Sequence, residues 1–192
     1  MEPYEGVNFY DIESLLTEEE IMIRDMARKF AEDDLQPHSE EWDQTSHFPV
    51  DVIRKAAELG FASIYVKEDV GGAGLTRTDA ALIFEQLAYG DVSTAAFISI
   101  HNMASWMIDT FGADEQRQAW LPRLTTMELI ASYCLTEPGA GSDAASLKTK
   151  AVREGDEYVI TGTKQFISGA GTSDVYVLMA RTSEDGAKGV SA

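Results

Sequence analysis

The spacing of apolar residues along this chain changes once, near Ile130, and that change limits the folds open to it. Before it, apolar side chains return every three or four residues, the signature of helices that bury one face. After it, Tyr133, Leu135, Val152, Tyr158, Ile160, Val175, Val177 and Met179 stand in short runs of β-branched and aromatic residues, separated by turn formers such as Glu154-Gly155-Asp156. A purely helical bundle and a pure β-sandwich are both excluded, and 192 residues leave room for a core in each part. The sequence predicts an α+β chain, with a helical unit over 1–129 and a β unit over 130–192.

The helical unit carries its own punctuation. Thr17 and Glu20 form a capping box ahead of Ile23, Met26, Ala27, Phe30 and Ala31, predicting an amphipathic helix from about 18 to 36 that stops before Pro37. Pro49 opens a second helix with Val52, Ile53 and Ala56 inward, and Gly60 supplies its left-handed end. Thr76 and Asp79 open a third, with Ala80, Ile83, Phe84 and Leu87 on one side and Gly90 closing it. The run Thr94 to Phe111 is apolar around most of its circumference and reads as a central helix, followed by one from Asp114 toward Leu124. In the β unit, Val152 and Tyr158 flank a hairpin.

Charge and composition narrow the function. The net charge is −18, with 15 Lys and Arg against 33 Asp and Glu, which excludes a nucleic-acid binder because phosphate neutralisation needs a basic face. The excess lies wholly in residues 1–147, whereas residues 148–192 are balanced. With 44% hydrophobic residues the chain is not intrinsically disordered, and with no apolar stretch of 18 residues it has no membrane span. A single cysteine, Cys134, excludes an internal disulfide and a cysteine zinc cluster and points to a reducing compartment. The start MEPYEGVNFYDIES is acidic where a signal peptide is basic, and reads as a mature or bacterial cytoplasmic N-terminus.

The segment with most chemical content is Tyr133-Cys134-Leu135-Thr136-Glu137-Pro138-Gly139-Ala140-Gly141-Ser142-Asp143, which joins a strand to a loop with two glycines and a proline. It offers backbone N–H groups and hydroxyls to a ligand that approaches the main chain closely, such as an anionic or carbonyl-rich ring. A tight surface turn after a strand fits the same spacing. Gly139-Ala140-Gly141 does not continue as GxGxxG, and Gly71-Gly72-Ala73-Gly74 lacks the Lys-Ser/Thr of a P-loop, so neither a Rossmann site nor a P-loop is supported. Glu137, beside Pro138, reads as an exposed turn residue rather than a general base. Cys134 reads as a buried structural thiol, and His101 as a satisfied core or pocket-edge histidine. His38, His47 and His101 have no metal-ligand spacing, and no metal is expected.

YCLTEPGAGSD, followed by GTKQFISGAG, resembles the flavin-binding signature of the acyl-CoA dehydrogenases, and VGGAG and FGADEQRQAWLP extend the resemblance over the whole chain. The preceding VKEDV departs from the commoner Pro-containing form of the family. Phe166-Ile167-Ser168-Gly169-Ala170-Gly171 is closer to the family's isobutyryl-CoA branch than to straight-chain enzymes, which usually have Trp and Thr at the first and third positions. The resemblance implies FAD as cofactor, acyl-CoA as substrate, electron-transfer flavoprotein as acceptor and a homotetramer. It implies a helical N-terminal domain at 1–129, the start of an antiparallel middle β-domain at 130–192, and a C-terminal helical domain beyond the chain. The implied activity is α,β-dehydrogenation of a short, branched acyl-CoA to the 2,3-enoyl-CoA, as in fatty-acid or branched-chain amino-acid catabolism. The family's base is a glutamate of the C-terminal domain, so no catalytic residue is expected among these 192. Two other readings stand beside it: a non-catalytic flavin- or acyl-CoA-binding or interaction module of the same fold, and an oxidase. The implied place is the bacterial cytoplasm, or the mitochondrial matrix for a mature eukaryotic chain.

Carried onto this sequence, the resemblance puts Tyr133, Cys134, Leu135, Thr136, Gly141 and Ser142 along the flavin ring, with Leu135 and Thr136 bonding its pyrimidine side and Ser142 also meeting the acyl-CoA. Phe166, Ile167 and Ser168 match a second flavin-contacting strand, with Phe166 packing on the ring and the Ser168 hydroxyl near N5. Ordinary sheet packing is the alternative role for Phe166.

Overall fold

Thr17 starts the first helix as its sequence predicts: its Oγ1 accepts from the N–H of Glu20 at 3.2 Å, and Glu20 Oε2 accepts from the N–H of Thr17 at 2.7 Å. The computed structural model describes residues 11–192, so most of the acidic N-terminal start lies outside the described residues. Helix α1 (Glu18–Phe30) runs into a π-helical turn, Ala31–Leu35, and ends ahead of Pro37. Ala27, Phe30, Ala31 and Leu35 are buried, while Met26 sits at the exposed edge of the stripe. A short α2 (Ser39–Thr45) follows, with no counterpart in the sequence reading, then α3 (Val50–Glu58), α4 (Arg77–Gly90), α5 (Val92–Phe111) and α6 (Asp114–Leu124).

Gly90 is the last helical residue of α4, where the sequence ends that helix, and the Asp91 N–H bonds to Leu87 O at 2.9 Å. A Cβ on Gly90 would lie 2.7 Å from Ala31 O and 2.9 Å from Leu35 Cβ. The glycine is there because two backbones meet. Asp91 then caps α5, its Oδ1 accepting from Thr94 N–H at 2.6 Å, while its Oδ2 accepts from Ser39 Oγ at 2.7 Å.

One core cluster joins α1, α3, α4 and the first half of α5 through Phe30, Ile53, Phe61, Ile64, Ile83, Leu87 and Ile98. A second, with Val66, Ala104, Leu121, Leu124 and Ala131, locks α5 and α6 onto the β unit. Asn102, inside α5 and fully buried, ties in the chain after α3: its Oδ1 accepts from Ile64 N–H and its Nδ2 donates to Phe61 O, both at 2.7 Å. The glycine-rich loop at 71–74 is consumed by the same part of the fold. The N–H groups of Gly72, Ala73 and Gly74 donate to Lys67 O, Ser63 O and Val66 O, so none is left to cradle a phosphate.

The strands are β1 (Ala131–Cys134), β2 (Lys150–Glu154), β3 (Glu157–Thr161), β4 (Val175–Leu178), β5 (Ala180–Arg181) and β6 (Val190–Ser191). The hairpin is where the turn residues put it, β2 antiparallel to β3 with Val152 opposite Val159. The pairing as a whole is mixed rather than antiparallel: β1 pairs parallel with β4, Ala131 opposite Val175, and β2 meets β5 parallel at Lys150 and Arg181. Parallel partners require a crossover. Here β2 and β3 are part of the connection that returns the chain from β1 to β4.

Candidate functional site

β1 is fixed from behind before it presents anything in front. Ser132, fully buried, donates from Oγ to Ser168 O and shares a 2.6 Å hydrogen bond with Ser173 Oγ. The loop after β3 is thereby pinned to β1. Gly169, at φ 81°, allows this: a Cβ there would fall 2.6 Å from the Phe97 ring of α5 and 2.9 Å from Ser132 Oγ.

Two further bonds join the segments that the sequence reading singled out. Gln165 N–H donates to Thr136 O at 2.8 Å, and Lys164 Nζ donates to Leu135 O at 3.0 Å. Residues 133–136 and 166–168, thirty apart in sequence, therefore form one surface. Tyr133, Leu135, Thr136 and Ile167 are half-buried, Cys134 is buried, and Gly141, Ser142, Phe166 and Ser168 are exposed. Phe166 does not sit in a sheet. It lies in the loop between β3 and β4 at φ 57°, a left-handed conformation that ends strand geometry, and it is 83% exposed. The whole 166–168 stretch, expected as a strand, is part of this loop.

Glu137 corrects another expectation. It is buried rather than an exposed turn residue, with an ion pair to Lys164 Nζ at 2.8 Å and acceptor bonds from the N–H groups of Lys148 at 2.6 Å and Thr149 at 2.9 Å. Burial alone would raise its carboxyl; the Lys164 ammonium and the backbone donors outweigh burial and hold it at about 2. A carboxylate so occupied is a poor proton acceptor. Burial pushes the Cys134 thiol and the Tyr133 phenol up, which fits an inert cysteine. His101 is a satisfied core residue, its Nε2 bonded to Leu124 O at 2.9 Å and its Nδ1 to Ala131 N–H at 3.0 Å. His38 and His47 lie far from it in the chain, on either side of Trp42.

What this surface leaves unsatisfied defines what it can hold. Among the described residues, no hydrogen bond takes the backbone N–H of Leu135, Thr136, Gly141 or Ser142, or the hydroxyls of Thr136, Ser142 and Ser168. Gly139 and Gly141 have no atom within 4 Å of the place a Cβ would occupy. A flat ring with carbonyl and nitrogen acceptors along one edge and an apolar face for Phe166 suits these donors, and so fits a flavin. Lys164, Gln165, Ser132 and Gly169, which assemble the surface, were not read from the sequence as site residues. A lysine just ahead of the aromatic carries no pattern that announces its burial.

Residues 17–128 match the acyl-CoA dehydrogenase N-terminal domain, and residues 132–192 match the acyl-CoA dehydrogenase middle domain. The chain is 58% identical over 177 residues to the mitochondrial isobutyryl-CoA dehydrogenase of Dictyostelium discoideum, covering 92% of this chain and 42% of that protein. It is 56% identical to the mitochondrial isobutyryl-CoA dehydrogenase of Bos taurus, with the same coverage. A glutaryl-CoA dehydrogenase from Mycobacterium smegmatis, solved in complex with FADH2, superposes with a TM-score of 0.89 at 29% identity, over 94% of this chain and 47% of that one. The chain thus spans less than half the length of the proteins it matches.

Proposed function

Because the chain belongs to the acyl-CoA dehydrogenase family, matching its N-terminal and middle domains, we propose that it forms the flavin-facing part of an FAD-dependent enzyme that converts a short, branched acyl-CoA to its 2,3-enoyl-CoA. The observation that carries the reading is the paired surface itself. Leu135 and Thr136 present unclaimed N–H groups beside a solvent-facing Phe166, and two cross-links at Lys164 and Gln165 hold the segments together.

In this reading FAD supplies the hydride acceptor. The residues of the chain bind and orient it: Leu135 and Thr136 N–H donate to the pyrimidine edge, where negative charge builds on reduction, and Phe166 covers a face of the ring. Tyr133, Cys134 and Ile167 back the site with apolar surface, the Ser168 hydroxyl lies toward N5, and Ser142 with Gly141 borders the path of the acyl thioester. None of these residues is placed to take the α-proton. The base is proposed to be a glutamate of a C-terminal domain, as the family resemblance implies. The division of the chain at 129/130, a homotetramer, electron-transfer flavoprotein as acceptor and a mitochondrial matrix or bacterial cytoplasmic location belong to the same proposal. The high identity to two isobutyryl-CoA dehydrogenases supports the branched substrate.

The test uses the complete polypeptide that carries this sequence. It is expected to copurify with FAD, to lose its flavin absorbance on anaerobic addition of isobutyryl-CoA, and to give a higher kcat/KM with isobutyryl-CoA or 2-methylbutyryl-CoA than with octanoyl-CoA. A folded, colourless protein that takes up no FAD overturns the flavin site. Preference for the eight-carbon substrate overturns the branched assignment alone.

A further inference from the structure

Lys164 and Glu137 form a buried ion pair between the two segments. The side chains are 10% and 7% exposed. Removing a pair of charges from water is unfavourable, and replacing such a pair by packed apolar side chains is often neutral or stabilising. The cost of burying the cation directs attention to what else it touches.

Geometry suggests a second role for the lysine. Its Nζ donates to the carbonyl oxygen of Leu135 at 3.0 Å and to Glu137 Oε1 at 2.8 Å. The Leu135 carbonyl and the Thr136 N–H belong to one planar, conjugated peptide unit. A cation hydrogen-bonded to the oxygen draws electron density from the nitrogen and makes its N–H a stronger donor. That N–H is one of those with no partner among the described residues. Glu137 holds the ammonium in place and is itself held by the N–H groups of Lys148 and Thr149.

We propose that Lys164 is a positioning residue that polarises the Leu135–Thr136 peptide toward the pyrimidine edge of the flavin and so favours the reduced, anionic cofactor, with Glu137 fixing its position and limiting its field. The proposal rests on the reading that residues 135 and 136 face the flavin. It concerns the relative affinity for two redox states and adds no chemical step.

The experiment measures the two-electron flavin midpoint potential, the thermal unfolding midpoint and the dissociation constant for oxidised FAD in the complete flavoprotein and its variants. Lys164→Met is expected to lower the preference for reduced over oxidised flavin about tenfold, a fall of about 30 mV for a two-electron couple. Lys164→Arg, which keeps the cation, is expected to recover most of it. Glu137→Gln removes the counter-charge and is expected to move the potential the opposite way, upward, which provides a second arm if Lys164→Met does not fold. A Lys164→Met protein with lowered thermal midpoint and unchanged potential overturns the proposal, and so does a Glu137→Gln potential that is unchanged or lower. A wild-type protein with no flavin overturns the underlying reading and is recognised by its lack of colour before any variant is made.

Discussion

His101 couples the helical and β parts through both ring nitrogens. Since Ala131 N–H donates to Nδ1, the proton resides on Nε2 and is given to Leu124 O, so the ring must be neutral for both bonds to exist. Burial lowers its pKa from the ordinary 6.5 to about 4. The unfolded chain therefore takes up a proton between those values that the folded chain refuses. The histidine's contribution is intact above pH 6.5 and is lost as pH falls toward 4, about 3 kcal/mol over the window. Glu137 has the same sign at lower pH: its folded value of about 2 against 4.5 means that its contribution is present above pH 4.5 and fades toward 2. Urea unfolding as a function of pH is expected to show the histidine step, and His101→Gln, which can donate and accept without titrating, is expected to flatten it. An equal loss between pH 6.5 and 4 in the variant would place the acid sensitivity elsewhere.

At the scale of elements, the end of α4 meets the π-helical turn Ala31–Leu35 at Gly90, where no side chain intervenes. Helix propensity alone makes Gly90→Ala favourable by about 1 kcal/mol. The contact with Ala31 O and Leu35 Cβ reverses the sign, and a net destabilisation of about 1–3 kcal/mol is expected from chemical denaturation. A stabilised variant would mean that the helices part there without penalty. The same element shows why some features were legible in sequence and others not. The capping boxes Thr17/Glu20 and Thr76/Asp79 are complete within four residues and appear where they were expected. Gly90 ends α4 where the sequence puts it, but its close approach to Ala31 and Leu35 leaves no local signal, because a glycine at a helix end looks alike whether it turns the chain or admits a neighbour. The parallel pairing of β1 with β4 joins residues more than forty apart and leaves no local trace. The site divides similarly: 133–142 and 166–168 stood out as motifs, while the burial of Glu137 by Lys164, twenty-seven residues on, follows only from that pairing.

Taken as a whole molecule, the chain has a well-filled helical part and a sheet whose outer hairpin is open. Val152, Tyr158, Val159 and Ile160 are all exposed, although β3 places Tyr158 and Ile160 on one face and Val159 on the other. Apolar residues clustered on an edge strand favour association. Residues 1–192 expressed alone are expected to show concentration-dependent light scattering, and the double replacement Tyr158→Lys, Ile160→Lys to suppress it; scattering unchanged by that replacement would exonerate the hairpin. The glycines of the surface proposed to hold the flavin carry a different consequence. Gly169 is demanded by the chain's own packing, whereas Gly139 and Gly141 have negative or extended backbone and empty space around them. A saturation library screened for soluble expression is therefore expected to purge position 169 and to tolerate alanine at 139 and 141. The same library screened for yellow colour is expected to lose the latter two as well. Comparing the survivors of the two screens would separate what evolution has kept for the scaffold from what it has kept for the guest.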